Sequence, residues 1–391
     1  MIVYFDNAAT TPLDPEVFEA MKPFLMEDFG NPSSTHSHGR KVRSAIESSR
    51  KKIAELLKCT PGEIIFTSGG TEADNAILTS ALLTYNIKNV ISSKIEHHAV
   101  EQTLHRFAAQ GKINLLMVDT DDKGHTDLSH LEKLLQQNEH ALVSLMHANN
   151  EVGNLLDIAH VGELCEKYKA YFHSDTVQTM GHYRHDASQL KVHGMAAAAH
   201  KFHGPKGSGF MFIRKDKKIQ PFVFGGAQER SMRGGTENVY GIVGLAKAFE
   251  IAYRDIDKHH QYIQGLKAYM IGRLRENIQG VDFHGDSANA DKSLYTVLNV
   301  CLPESEENDM VLFNLDLKGI SASGGSACSS GAAAGSHVLG ALYPGSKRGA
   351  VRFSFSKYNT REEVDYAVSC LSDIFKEAAS YKLQAATPRI K

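Results

Sequence analysis

Nowhere in the chain do apolar residues run uninterrupted for the 18 or so positions that a membrane-spanning helix needs. The N-terminus, MIVYFDNAATTPLDP, lacks both the basic and the apolar region of a secretory signal. The expectation from both absences is a cytoplasmic protein. An excess of one charge is also missing. Forty-three Lys and Arg stand against 45 Asp and Glu, a net charge of -2, so nothing draws the chain generally to nucleic acid or to an anionic membrane. Cysteine is scarce and unpaired. Cys59, Cys165, Cys301, Cys328 and Cys370 are odd in number, widely scattered and never in a CxxC pair, which excludes a disulfide framework and a zinc knuckle. There is no internal repeat and no long linker.

What is present is an ordinary globular composition, 42% apolar and 23% charged, over 391 residues, long enough for two domains. From about residue 60, short apolar runs alternate with amphipathic stretches. EIIFTS (63–68), NVISS (89–93), INLLMV (113–118), ALVSLMH (141–147), YFHSD (171–175), MAAAAH (195–200) and GFMFI (209–213) read as strands. Helical patterns over 71–83, 100–110, 128–137 and 160–169 lie between them. This alternation predicts an α/β fold with a mainly parallel sheet covered on both faces. A long helical segment over 238–279 precedes a change of pattern to a smaller α+β unit. The polar tail YKLQAATPRIK is read as frayed.

Ligands of parallel sheets bind at the carboxyl ends of strands, and unusual residues gather there: SGGT, EHH, HANNE, SDTVQ and AHK. Lys201 follows a strand of small residues, which lets a bulky group approach its amine, and burial would make that amine a Schiff-base nucleophile. Alone, it reads rather as a surface lysine at a strand end. Asp175 could pair with a pyridinium nitrogen or cap a helix. SGGTEADN offers amides and the Thr71 hydroxyl at a helix start, suited to a phosphate or to capping. Together the three point to a pyridoxal phosphate site. Of the five cysteines, four read as small buried hydrophobes. Cys328, in GGSACSSGAAAGSHV, stands apart, because glycine, alanine and serine around it predict a mobile loop that no core could hold.

FDNAATTP, FGNPSSTH, FTSGGTEADN, EHHAV, HANNEVG, HSDTVQ, AHKFHGPKG, RSMRGGTEN, SGGSACSS and VRFSFSKYN occur in this order between residue 3 and about 370. In order and spacing they resemble the motifs of group I, NifS/IscS-like cysteine desulfurases of the class V aminotransferase family. The resemblance implies a fold-type I pyridoxal-phosphate transferase with a seven-stranded sheet. It further implies a large cofactor-binding domain over 15–255 and a small domain of 1–14 with 256–391, the latter carrying a mobile cysteine loop at about 321–337. Lys201 would form the Schiff base with pyridoxal 5'-phosphate, and Asp175 would pair with the ring nitrogen. Gln178 and Asn150 would meet the ring's 3-oxygen edge, and His97 would stack on the ring and move protons. Gly70, Thr71 and His200 would hold the phosphate, and Thr236 would reach the partner subunit's phosphate in a homodimer with shared sites. Arg352, assisted by Asn31, would bind the substrate carboxylate.

The implied reaction takes sulfur from L-cysteine, releases L-alanine and leaves a persulfide on Cys328 for acceptors such as an iron–sulfur scaffold or a tRNA-thiolation carrier. One departure from the family stands at Ala198, where serine is usual, and predicts weaker hold on the cofactor. Selenocysteine lyase, cysteine sulfinate desulfinase, another enzyme of the family and a non-catalytic scaffold stay open as alternatives, although intact Lys201, Asp175 and His97 weigh against the scaffold. Twenty histidines include the close pairs His36/His38, His182/His185 and His259/His260. None has a third ligand at a recognisable spacing, so no metal site is expected. His98 reads as an ordinary residue.

Overall fold

The computed structural model describes residues 1–324 and 335–386, with side chains as far as residue 375. The chain opens with β1 (Val3–Tyr4), α1 (Pro15–Met26) and α2 (Ser37–Leu57). The alternating region then runs β2 (Ile64–Thr67), α3 (Gly70–Thr84), β3 (Asn89–Ser92), α4 (His98–Ala109), β4 (Asn114–Met117), α5 (Leu128–Gln137) and β5 (Leu142–Ser144). It continues with α6 (Ile158–Lys167), β6 (Tyr171–Asp175), β7 (Gly194–Ala198) and β8 (Gly209–Ile213). After α7 (Val239–Arg254) and α8 (Ile256–Asn277) come β9 (Asp282–Phe283), β10 (Val297–Glu304), α9 (Val311–Leu317) and β11 (Ile320–Ser321). The C-terminal part holds α10 (His337–Leu342), β12 (Arg348–Ser354) and α11 (Arg361–Ala386).

Seven strands form one sheet in the order β2-β8-β7-β6-β5-β3-β4, parallel throughout except for β8, which runs against both neighbours. Every residue of β8 is buried. Phe210 and Phe212 enter the core on one face of the sheet, Met211 and Ile213 the core on the other. A strand covered on both faces is apolar at every position, and the run GFMFI is of that kind. A second core gathers Val3 and Phe5 with the α8 residues Ile263, Leu266, Met270 and Leu274, the β10 and β12 interiors, and Val364, Val368 and Leu371 of α11. Here β10 pairs antiparallel with β9 and β12, while β1 pairs with β11. The first residues of the chain therefore pack with its last third.

Differences from the sequence reading have local causes. Alternation read only from residue 60 overlooks α1 and α2. Yet α1 carries a start signal: Asp14 accepts from the Glu16 amide at 2.9 Å, and Pro15 occupies the first helical position. The helical segment over 238–279 is two helices that meet at Asp255. α11 runs through Ala386, past the point where the tail was read as frayed. Among the described residues, no helix is long and apolar enough to cross a membrane.

At one edge of the large sheet, the outer side of β2 is closed by a charged pair. Arg50 of α2 meets Glu229 through two contacts of 2.7 and 2.8 Å and also donates to the Ile64 carbonyl at 2.8 Å. Glu229 accepts from the Phe66 amide at 2.8 Å, so the edge strand offers less open backbone to another chain. Both side chains are almost wholly out of water. Glu229→Ala is expected to destabilise the protein by about 3–5 kcal/mol, since the Arg50 charge is left buried and unpaired. Replacing both partners by apolar residues should cost less, and denaturant melts of the single and double variants measure the difference.

Candidate active site

The carboxyl ends of β6 and β7 open onto a cleft of about 770 Å³ between the two cores. Asp175 ends β6, while Ala198, His200 and Lys201 stand at and just beyond the end of β7. Gly70, Thr71 and Asp74 reach it from the start of α3, His97 from the cap of α4, Asn150 from the loop after β5, and Gln178 from the loop after β6. Arg352 comes across from β12. Nine of the residues expected at the site thus line one space: Lys201, Asp175, Gln178, Asn150, Thr71, Gly70, His200, His97 and Arg352.

Small residues make this convergence possible. α3 passes so close above β7 that a Cβ on Gly194 would stand 2.7 Å from Ile77 Cγ2, and one on Gly70 would stand 2.5 Å from Val177 Cγ2. Gly70 therefore lets the first turn of α3 seat against the loop that carries Gln178. α3 has no side-chain cap, so its leading amides remain donors suited to an anion. Ala198 Cβ lies 3.8 Å from the Cβ position of Gly70, beside that same helix start.

Lys201 Nζ donates to the carbonyl oxygens of Ala8 at 2.6 Å and Ala9 at 2.9 Å. Gln178 Nε2 donates to the Ala8 oxygen as well, at 3.0 Å. His200 faces Thr10 through Nδ1 at 3.2 Å, and burial, with Lys201 and Lys206 beside it, lowers its pKa to about 4, leaving a neutral ring at ordinary pH. His97 Nδ1 accepts from the Ala99 amide at 3.1 Å, which places the hydrogen of the neutral ring on Nε2. Burial holds its pKa below the usual histidine value, against the upward pull of Asp175.

Acids are concentrated beneath the cleft. Burial raises the Asp175 pKa, opposed by His97, by the Val177 amide and by Lys201. Asp74, fully buried, is pushed well above the carboxylate range by burial and then by Asp175 and Glu96. Its Oδ1 stands 3.2 Å from His173 Nε2, but off hydrogen-bond geometry, while His173 Nδ1 meets Ser144 Oγ at 2.9 Å. Glu96 accepts from Ser93 Oγ and the Met146 amide, both at 3.0 Å, and burial above all lifts its pKa to about 8.

Arg352 is 1% exposed. Its Nη2 donates to Asp6 Oδ1 at 2.7 Å and its Nη1 to the Asn150 carbonyl at 2.9 Å, while Nε has no hydrogen-bond partner among the described residues. A buried donor left unpaired at the wall of a cleft fits an incoming carboxylate.

Two expected residues stand elsewhere. Asn31 is exposed, accepts from the Ser33 amide within its own turn, and does not line the cleft. Thr236 is exposed and borders a separate pocket with Gly235 and Asn238. Cys328 lies outside the described residues. The residues overlooked are Asp6, Ala8, Ala9, Asp74 and Glu96. FDNAATTP, TEADN and EHHAV were visible as motifs, but the uses of these five residues depend on partners far away in the chain.

Residues 3–367 match the family model described as Aminotransferase class-V. The chain belongs to the class-V aminotransferase family. Among its relatives in that family, the cysteine desulfurase IscS of Dictyoglomus turgidum is 41% identical, with 96% of this chain and 95% of that one covered. A putative cysteine desulfurase, IscS 1 of Bacillus subtilis, is 39% identical, with 96% and 98% covered. Of solved structures, a NifS-like protein superposes with a TM-score of 0.88 at 36% identity, covering 96% of this chain and 100% of that one. A further solved structure, SspA in complex with cysteine, superposes with a TM-score of 0.79 at 27% identity, with 92% and 100% covered. The mainly parallel sheet and its cleft are thus the family's architecture, with a NifS-like arrangement.

Glu96 makes the site's electrostatics measurable through stability. With its pKa raised from 4.5 to about 8, the native state keeps a proton that the unfolded chain releases between those values. Stability should therefore fall as pH rises across that window. Glu96→Gln preserves the acceptor for Ser93 and Met146 and cannot titrate. Thermal melts at pH 5 and pH 8 are expected to show a larger loss for the wild type than for the variant, and equal losses would contradict a protonated Glu96.

Proposed function

We propose that the protein is a pyridoxal-phosphate-dependent cysteine desulfurase. The observation that carries this reading is one cleft in which the Lys201 amine, the Asp175 carboxylate and a neutral His97 act on one another electrostatically. The residues present suit the cofactor. Uncapped amides at the start of α3, the Thr71 hydroxyl and a neutral His200 form a cradle for a phosphate, and a buried acid stands ready for a ring nitrogen. The relatives named cysteine desulfurase, and SspA seen with cysteine, support the substrate.

Pyridoxal phosphate, when bound, supplies an electron-accepting ring that spreads the charge left on the substrate Cα after proton loss. Lys201 Nζ would hold the cofactor and, when free, would take the Cα proton. Asp175 would pair as a carboxylate with a protonated ring nitrogen, a cation that opposes the upward shift of its own pKa. Gln178 and Asn150 would face the ring's oxygen edge, and His97 would stand against the ring and carry protons through Nε2. Arg352 orients the substrate carboxylate, because its guanidinium is already held in place by Asp6 and the Asn150 carbonyl. Cys328 attacks the substrate sulfur as a thiolate. The substrate C–S bond breaks, an S–S bond forms on Cys328, and L-alanine leaves. Acceptors such as an iron–sulfur scaffold or a tRNA-thiolation carrier then receive the sulfur. The exposure of Thr236 away from its own cleft supports a homodimer in which it serves the partner's phosphate. The reading places the enzyme in the cytoplasm.

Mass spectrometry after incubation with L-cysteine is expected to show one added sulfur atom on Cys328. In Cys328→Ser, sulfide release with a thiol acceptor should vanish while the cofactor's absorption band persists; full activity in that variant would remove Cys328 from the mechanism.

Ala198 offers a second test. A serine there would place a hydroxyl beside the start of α3. A hydrogen bond to a charged group contributes about 1.5–3 kcal/mol, so Ala198→Ser should bind pyridoxal phosphate roughly tenfold to a hundredfold more tightly. Spectral titration of the cofactor-stripped protein reads the affinity, and an unchanged value would refute this account of position 198.

A further inference from the structure

α4 and the start of α10 meet beside the cleft. His98 and Glu101 lie one turn apart on α4, with His98 Nδ1 2.8 Å from Glu101 Oε2. His337, the first residue of α10, lays its ring against His98 with centroids 4.4 Å apart and planes inclined at 33°. One ligand atom from each of the three lies within 4.8 Å of the other two, and all three residues are half-buried. Among the described residues, no other trio of His, Cys, Asp or Glu comes together in this way.

The orientation of His337 adds an independent reason. Its Nε2 is 2.9 Å from the Glu96 carbonyl oxygen. A carbonyl only accepts, so Nε2 carries the hydrogen and Nδ1 of the neutral ring keeps its lone pair. An imidazole that donates to a backbone carbonyl through one nitrogen and offers the other is the usual form of a metal ligand. The start of α10 is anchored too: Ser336 caps it through the Leu339 amide at 3.0 Å and donates to Glu151.

We infer that His98, Glu101 and His337 form a binding site for a borderline divalent cation of the zinc type. Two imidazoles and one carboxylate suit zinc, whereas magnesium and calcium call for oxygen ligands. Ligands about 2.0–2.1 Å from a tetrahedral ion stand roughly 3.3 Å apart. His98 Nδ1 and Glu101 Oε2, now 2.8 Å apart, therefore open by about half an ångström on binding while His337 closes in, and the fourth position falls to water. The ion joins α4 to α10, two elements otherwise linked here through side-chain contacts. None of the three residues belongs to the cofactor cleft, and the site requires neither pyridoxal phosphate nor sulfur chemistry.

The full chain, purified with its cofactor and freed of adventitious metal by a chelator, is titrated with zinc alone in a calorimeter. One saturable equivalent per chain is expected, accompanied by a rise in melting temperature. His98→Ala and Glu101→Gln should each weaken that binding at least tenfold. His105→Ala serves as the control, because His105 is largely exposed and faces the other oxygen of Glu101 at 3.9 Å without joining the trio; it should bind as the wild type does. Absence of saturable binding, or an affinity unchanged in both His98→Ala and Glu101→Gln, would overturn the assignment. Equal weakening by His105→Ala would likewise overturn it, since a diffuse surface cluster would then be the binder.

Discussion

Arg352 is a guanidinium taken almost wholly out of water, and the Asp6 carboxylate at 2.7 Å is what makes its burial tolerable. This contact lies where the chain's first residues meet its last third. β1 pairs with β11, Asp6 bridges to Ser354, and Asn7 Nδ2 donates to the Ser354 carbonyl at 2.8 Å. A few residues further on, the same segment presents the Ala8 and Ala9 carbonyls to Lys201, and Thr11 Oγ1 donates to the His200 carbonyl at 2.9 Å. One short strap therefore sets the Arg352 guanidinium against the Lys201 amine. It does so mostly with backbone oxygens, whose positions follow from the pairing on either side.

A second constraint is the low polarity beneath the cleft. Asp74, Glu96 and Asp175 are all buried close together, and none can be ionised there without a compensating charge. Such a cluster resists three simultaneous negative charges. The acids thus suit a cation above Asp175, while His97, His200 and His173 are all held toward the neutral form by burial. Hydrogen-bond geometry then decides what each ring does: His97 accepts at Nδ1 and is left with Nε2–H.

Most of the fold was legible because its signals are short-range. The run GFMFI is apolar at every position because β8 is covered on both faces, and LSHLEKLLQQ shows its apolar stripe because α5 is covered on one. The overlooked α1 and α2 precede the alternating region. In α2 the polar run SHGRKVRSAIESSRKKIAELL hides the stripe Val42, Ile46, Ile53 and Leu57 that it buries. The candidate site was legible where a motif carries its own chemistry, as in AHK and SDTVQ. Asn31 shows the limit: its motif is present, but its side chain closes a local turn, because an amide near a bend bonds most readily to its own backbone.

By itself, then, the sequence determined the order of strands and helices in the alternating region from residue 60, the loops that bear reactive groups, and the family to which the chain belongs. Each rests on periodicities of two or 3.6 residues, or on contiguous motifs. Only the tertiary structure decided that Asp6 would neutralise Arg352, that the Ala8 carbonyl would serve Lys201 and Gln178 together, that Glu96 would be deprived of water, and that His337 would come to rest on His98. Coulomb energy and desolvation depend on which atoms surround a group. In a packed core, those atoms come from chain segments that no local pattern connects.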